Sequence, residues 1–132
     1  MPRVETTAAI HVAAFRAALR AFLRESELSA RAGGLTPQRY LLLLMIKGAP
    51  DGSERATVTE LSERLGLAQS TVTELVSRAE EIGIIERSPS DADGRVAYLR
   101  LTKEGERRLE SAFTRLEVER ARLRDAFAEL QQ

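Results

Sequence analysis

Apolar residues recur at three- and four-residue steps along most of the chain, and the pattern changes to alternation only once. From about Thr7 to Ala32 an alanine-rich stretch carries Val12, Phe15, Leu19, Phe22 and Leu23 at helical spacing, and Gly33-Gly34 ends it. In "LTPQRYLLLLMIKGAPDG" Thr36 is placed as an N-cap and Pro37 as the first helical residue. The run "LLLLMI" is apolar nearly all round, so its helix belongs in the centre of the core, with "GAPDG" as the exit.

The next pattern, "ATVTELSERLGLAQSTVTELVSRAEEIGII", divides at Gly66 into two short amphipathic helices. Thr57 with Glu60 forms a capping box at the start of the first, which turns Val58, Leu61 and Leu65 inward. In the second, Val72, Leu75, Val76, Ala79 and Ile82 face inward and leave Gln69, Ser70, Thr71, Thr73, Glu74, Ser77 and Arg78 outside. The two make a helix-turn-helix candidate. The alternation follows in "ERSPSDADGRVAYLRLT", where Arg95 to Leu101 fits a half-buried strand and "SDADG" is a cluster of turn formers, which predicts a β-hairpin. From Thr102 to about Leu130, Leu109, Phe113, Leu116, Leu123, Phe127 and Leu130 predict one long helix.

A helix-turn-helix followed directly by a hairpin is far more specific than either part alone, and it predicts a winged helix. The expected fold is mainly α with a small β-hairpin wing, in a single domain spanning residues 1–132. Residues 35–101 are expected to form the winged helix-turn-helix lobe. Residues 1–34 and 102–132 form a helical dimerisation platform, because two long apolar stripes at opposite ends of a small domain are best buried against a second copy.

Composition narrows the chemistry. No run approaches the roughly 20 apolar residues of a membrane span, and no charged-then-apolar leader opens the sequence, so a soluble cytoplasmic protein without membrane contact is expected. The absence of cysteine excludes disulfides, thiol redox sensing and thiolate metal sites. The single histidine, His11, cannot build a His-rich metal site, and no nucleophile and base are paired around it, which argues against an enzyme, a metal or a cofactor. Charge adds little: 20 basic residues balance 20 acidic ones, and residues 57–101 carry five Arg against eight acids.

Three stretches resemble the MarR family of bacterial transcription regulators: "LTPQRYLLLLMI", "TELSERLGLAQSTVTELVSRAEEIGIIER" and "DADGRVAYLRLTKEGERRL". The resemblance covers nearly the whole chain and implies a homodimer that binds double-stranded operator DNA through the lobe of residues 35–101, as a repressor relieved by a small-molecule effector. It places Gln69, Ser70, Thr71, Thr73, Glu74 and Arg78 in a major groove and Arg95 near the wing tip over the adjacent minor groove. Asp93, or less directly Asp91, is positioned to orient the Arg95 guanidinium. The family often carries a basic residue in place of Glu74 and a second arginine in place of Gly94, so modest non-specific affinity is expected. It usually continues into a further helix beyond the long one. It also commonly binds small aromatic acids or lipophilic compounds between platform and lobe, where His11, Phe15, Arg16 and Tyr40 are available. The alternative is a winged-helix module used for protein contacts without specific DNA binding, which the neutral charge and the acidic balance of residues 57–101 favour.

Overall fold

The computed structural model describes residues 1–89 and 96–132. Among them the order is α1 (Thr6–Ala32), α2 (Pro37–Lys47), α3 (Val58–Leu65), α4 (Gln69–Glu81), β1 (Ile85–Pro89), β2 (Ala97–Leu101), α5 (Lys103–Thr114) and α6 (Glu117–Leu130). The expected mainly α fold with a two-stranded antiparallel hairpin is present. Asp91, Asp93, Gly94 and Arg95 lie outside the described residues, and with them the expected orientation of Arg95.

Local chemistry sets most of the helix starts. The Glu5 carboxylate accepts from the amides of Thr7 and Ala8 at 2.9 and 2.7 Å, starting α1 slightly before the expected Thr7. The Thr36 hydroxyl accepts from the Arg39 amide at 3.2 Å with Pro37 in the first turn, and the Thr102 hydroxyl accepts from the Gly105 amide at 3.1 Å.

Helix α2 is the centre of the core, as its apolar run predicts. Leu42, Leu43 and Ile46 are fully buried among Leu61 of α3, Val72 and Val76 of α4, Ile84, Leu99 of β2, and Leu109 and Leu116. Side chains of this size each contribute about 1.5 to 3 kcal/mol when fully buried. Ile82 departs from the expected inward stripe. It caps α4 at 40% exposure, because the chain turns at Gly83 and delivers Ile84 and Ile85 to the core instead.

The hairpin pairs Ile85 with Leu101, Arg87 with Leu99 and Pro89 with Ala97. Ala56 adds a short third rung by exchanging two backbone hydrogen bonds with Leu99, at 3.1 and 2.8 Å. The wing is thereby anchored to the residue that leads into α3.

Two expectations are corrected at the ends of the chain. The pattern from Thr102 to Leu130 is two helices, not one, broken at Arg115 and Leu116. Leu116 is fully buried at the bend, and the Arg120 guanidinium lies 3.9 Å from the centre of the Phe113 ring across it. The second of the two, α6, packs back along α1 with Phe15 and Phe127 ring centres 6.2 Å apart. The α1 stripe also divides. Phe15, Leu19 and Phe22 are half-buried within the chain, whereas Val12 and Leu23 stand open with Ile10, Leu28 and, on α6, Val118.

Candidate nucleic-acid interface

The interface is built on α3 and α4. The Thr57–Glu60 capping box is complete: the Thr57 amide donates to the Glu60 carboxylate at 2.9 Å, and the Glu60 amide donates to the Thr57 hydroxyl at 3.2 Å. Gly66 closes α3 at φ 67°, a left-handed conformation that an L side chain disfavours, and this turn aims α4 away from α3. Ala68 precedes α4 and has no side chain able to cap it, so the first amides of α4 keep their donors toward the surface. The Gln69 carboxamide donates to the Thr59 hydroxyl at 3.4 Å, tying the starts of the two helices together.

With Val72, Val76 and Ala79 fully buried, Gln69, Ser70, Thr71, Thr73, Glu74, Ser77 and Arg78 are all exposed. The six α4 residues read as DNA contacts thus share one outward surface. Arg78 donates to the Glu74 carboxylate at 3.0 Å one turn away. Beside them a cleft of about 350 Å³ opens between α4 and the start of α2, lined by Thr36, Gln38, Arg39, Thr71, Glu74, Leu75 and Arg78. Arg39 is a candidate that sequence reading misses. No motif marks it, and only the packing of α2 beside α4 brings its guanidinium to this surface.

The wing is tied to the same helix. Arg87 of β1 grips Glu80 of α4 through both carboxylate oxygens, at 2.7 and 3.3 Å, and this pairing raises the arginine's pKa further. Arg55, before α3, stacks 4.0 Å from the ring centre of Tyr98 on β2. Arg64, Arg78 and Arg87 each have a carboxylate partner, so much of the lobe's positive charge is met by local pairs within a net acidic segment.

Of the four residues expected at an effector site, His11, Phe15 and Arg16 lie within two turns of α1 and Tyr40 on α2, with different exposures. Tyr40 is buried in the core, where burial pushes its hydroxyl pKa up. His11 and Phe15 are half-buried, Phe15 against Phe127. Arg16 is exposed and lines an open groove along α1 with Ala17, Leu19, Arg20 and Leu23. A different cleft, of about 420 Å³, lies between α2 and α5, where Leu44, Leu109 and Phe113 give it an apolar floor beside Lys47 and Glu106. Among the described residues no group of His, Asp or Glu is placed to hold a metal ion, and no helix is long and apolar enough to cross a membrane.

An exposed polar helix set by a tight turn, a second helix beneath it and a hairpin clamped to its end define a winged helix-turn-helix protein. The MarR family model matches residues 33–96. The chain is 38% identical over 81 residues to YsmB, an HTH-type transcriptional regulator of Bacillus subtilis, covering 61% of this chain and 53% of that one. It therefore spans about half the length of that relative. Among solved structures, the transcriptional regulator Tm0710 of Thermotoga maritima is 30% identical, with 88% and 87% of the two chains covered and a TM-score of 0.66. A mutant MarR of E. coli in complex with operator DNA shares the fold at 21% identity, with 87% and 75% covered and a TM-score of 0.63. The chain belongs to the MarR family of transcription regulators.

Proposed function

We propose that the chain works as a homodimeric repressor that binds a specific operator through α4 and its wing. The observation that carries this reading is the outward face of α4, where Gln69, Ser70, Thr71, Thr73, Glu74 and Arg78 are exposed together, set out from a core packed beneath them. Short hydroxyl and amide side chains meet phosphate oxygens and base edges. The uncapped start of α4 suits a phosphate, and Arg39 and Arg78 border the adjoining cleft as candidate backbone contacts. That a protein of this fold, the E. coli MarR mutant, has been solved in complex with operator DNA supports a DNA-binding role. Arg95, and Asp93 acting through it, are assigned to the minor groove from the wing.

Dimerisation supplies the second half of the interface. Val12 and Leu23 of α1 and Val118 of α6 leave apolar surface that one chain does not cover, and a two-fold pairing of the platform, residues 1–34 and 102–132, would bury it. Operator occupancy by such a dimer blocks transcription by exclusion. Relief by a small aromatic or lipophilic effector completes the proposal. The apolar cleft lined by Leu44, Leu109 and Phe113 supports it, and His11, Phe15, Arg16 and Tyr40 remain the candidates proposed from the sequence.

The neutral pairing of the lobe's arginines favours a second reading, a winged helix used for protein contacts. Fluorescence-anisotropy titration of the chain's own upstream DNA with wild type, Arg95→Ala and Arg39→Ala separates the two. Under the repressor reading each variant weakens binding and lowers the salt slope by about one phosphate contact. Affinities unchanged in both variants would remove these contacts, and absence of wild-type binding would favour the protein-contact reading.

A further inference from the structure

Along α4 the buried stripe of Val72, Val76 and Ala79 fixes which residues point furthest from the lobe. At 3.6 residues per turn, the direction opposite that stripe falls on Ser70, Glu74, Ser77 and Glu81. Two of these, Glu74 and Glu81, carry a long charged side chain. Of the two only Glu74 stands in the N-terminal half of α4, the half a recognition helix lays against base edges; Glu81 is the last residue of the helix. A helix laid into a major groove by this face inserts a carboxylate deepest, among phosphates that repel it. Its partner Arg78 is 62% exposed and Glu74 66%, so their 3.0 Å pair is open to water and adds little to folding. The pair sits at the edge of the cleft that also holds Arg39, so two guanidiniums offset the carboxylate's repulsion from the backbone.

The groove floor decides what such a carboxylate can accept. Guanine offers O6 and N7, and thymine offers O4 and a methyl group, none of which donates. Adenine offers its N6 amino group beside the N7 acceptor, which repels a second carboxylate oxygen. Cytosine offers the N4 amino group as a donor. Resting on the operator-binding reading above, we propose that Glu74 is a specificity residue that accepts a hydrogen bond from the N4 amino group of one cytosine in each half-site, and that Arg78 is the positioning residue that holds its carboxylate.

The test is selection and sequencing of randomised duplexes with the full chain as wild type, Glu74→Gln and Arg78→Ala, each first shown by circular dichroism to be folded. Wild type should select cytosine at one position of each half-site. Glu74→Gln should move that same position to adenine, because a carboxamide pairs with adenine N6 and N7 together, and should leave the other positions unchanged. The preference between the two bases should change by about ten-fold or more, within the range of a single bidentate contact. Arg78→Ala should blur the cytosine preference without creating another. If Glu74→Gln instead tightens binding to all duplexes alike, Glu74 only repels phosphate and the proposal fails; it fails equally if the variant keeps the wild-type cytosine. If wild type binds no duplex even at low salt, operator binding itself is overturned and the base assignment falls with it.

Discussion

Gly105 of α5 lies so close to Ile84 that a Cβ on Gly105 would overlap the Ile84 carbonyl oxygen. Thr102 fastens the same corner, its hydroxyl donating to the Gly83 carbonyl at 2.6 Å and its amide to the Ile84 carbonyl at 3.1 Å. The turn that ends α4 is therefore held directly against the start of α5. Orientation of α4 is linked to the platform through backbone contacts and the one short side chain of Thr102.

Gly105→Ala should consequently destabilise the fold, although alanine is the better helix former. Overpacking of this kind costs about 1 to 3 kcal/mol, and backbone is the obstructing group. Thermal unfolding followed by circular dichroism checks this; an unchanged or higher Tm would mean that the corner yields easily.

Acid should weaken the platform through Glu104. Arg107 at 2.6 Å, and then Arg108 at 2.8 Å, lower its carboxyl from an ordinary 4.5 to about 2. Arg108 also donates to the Gly34 carbonyl at 3.1 Å, so the cluster joins α5 to the end of α1. A pKa lowered by folding means that the stabilisation is full above the unfolded value near 4.5 and is lost as pH falls toward 2. The Tm difference between wild type and Glu104→Gln should be largest near neutrality and shrink over that interval. A pH-independent difference would assign the effect of the substitution to packing.

Arg87→Ala should separate DNA binding from stability. Its pair with Glu80 is partly exposed, so the loss of folding stability should stay within about 0 to 1 kcal/mol. The wing, released from α4, should nevertheless lower operator affinity in anisotropy titrations. Retained affinity would show that the clamp does not order the wing for DNA.

The apolar surface left on α1 should be the dimer seam. Leu23 is 56% exposed and Val12 52%, and placing a charge at both, Val12→Glu with Leu23→Glu, should shift light scattering toward the monomer while the helical circular dichroism remains. A double variant that stays dimeric would move the seam to another face.

Much of this site was legible because it rests on local chemistry. The Thr57–Glu60 box, the Thr36–Pro37 start and the Gly66 turn are short-range signals, and Val72, Leu75, Val76 and Ala79 fix the inner side of α4 by spacing alone. What escaped depends on packing between distant segments. Phe113 and Leu116 keep helical spacing straight through the α5–α6 break, and no glycine or proline marks it. The bend forms because burying Leu116 returns α6 onto α1. Ile82 matches the α4 period but yields its place to Ile84, which arrives from the turn. Arg39 is far from α4 in sequence and reaches the interface only through the fold.

Footprinting of the chain's own upstream DNA, combined with anisotropy titration across a salt series, tests the central claim most directly. A dimer presenting two α4 helices should protect an imperfect palindrome with half-sites roughly 10 bp apart centre to centre. Its log Kd should rise linearly with log salt, as phosphate neutralisation requires. Protection confined to one half-site by a monomer, or an affinity indifferent to salt and sequence, would contradict the account.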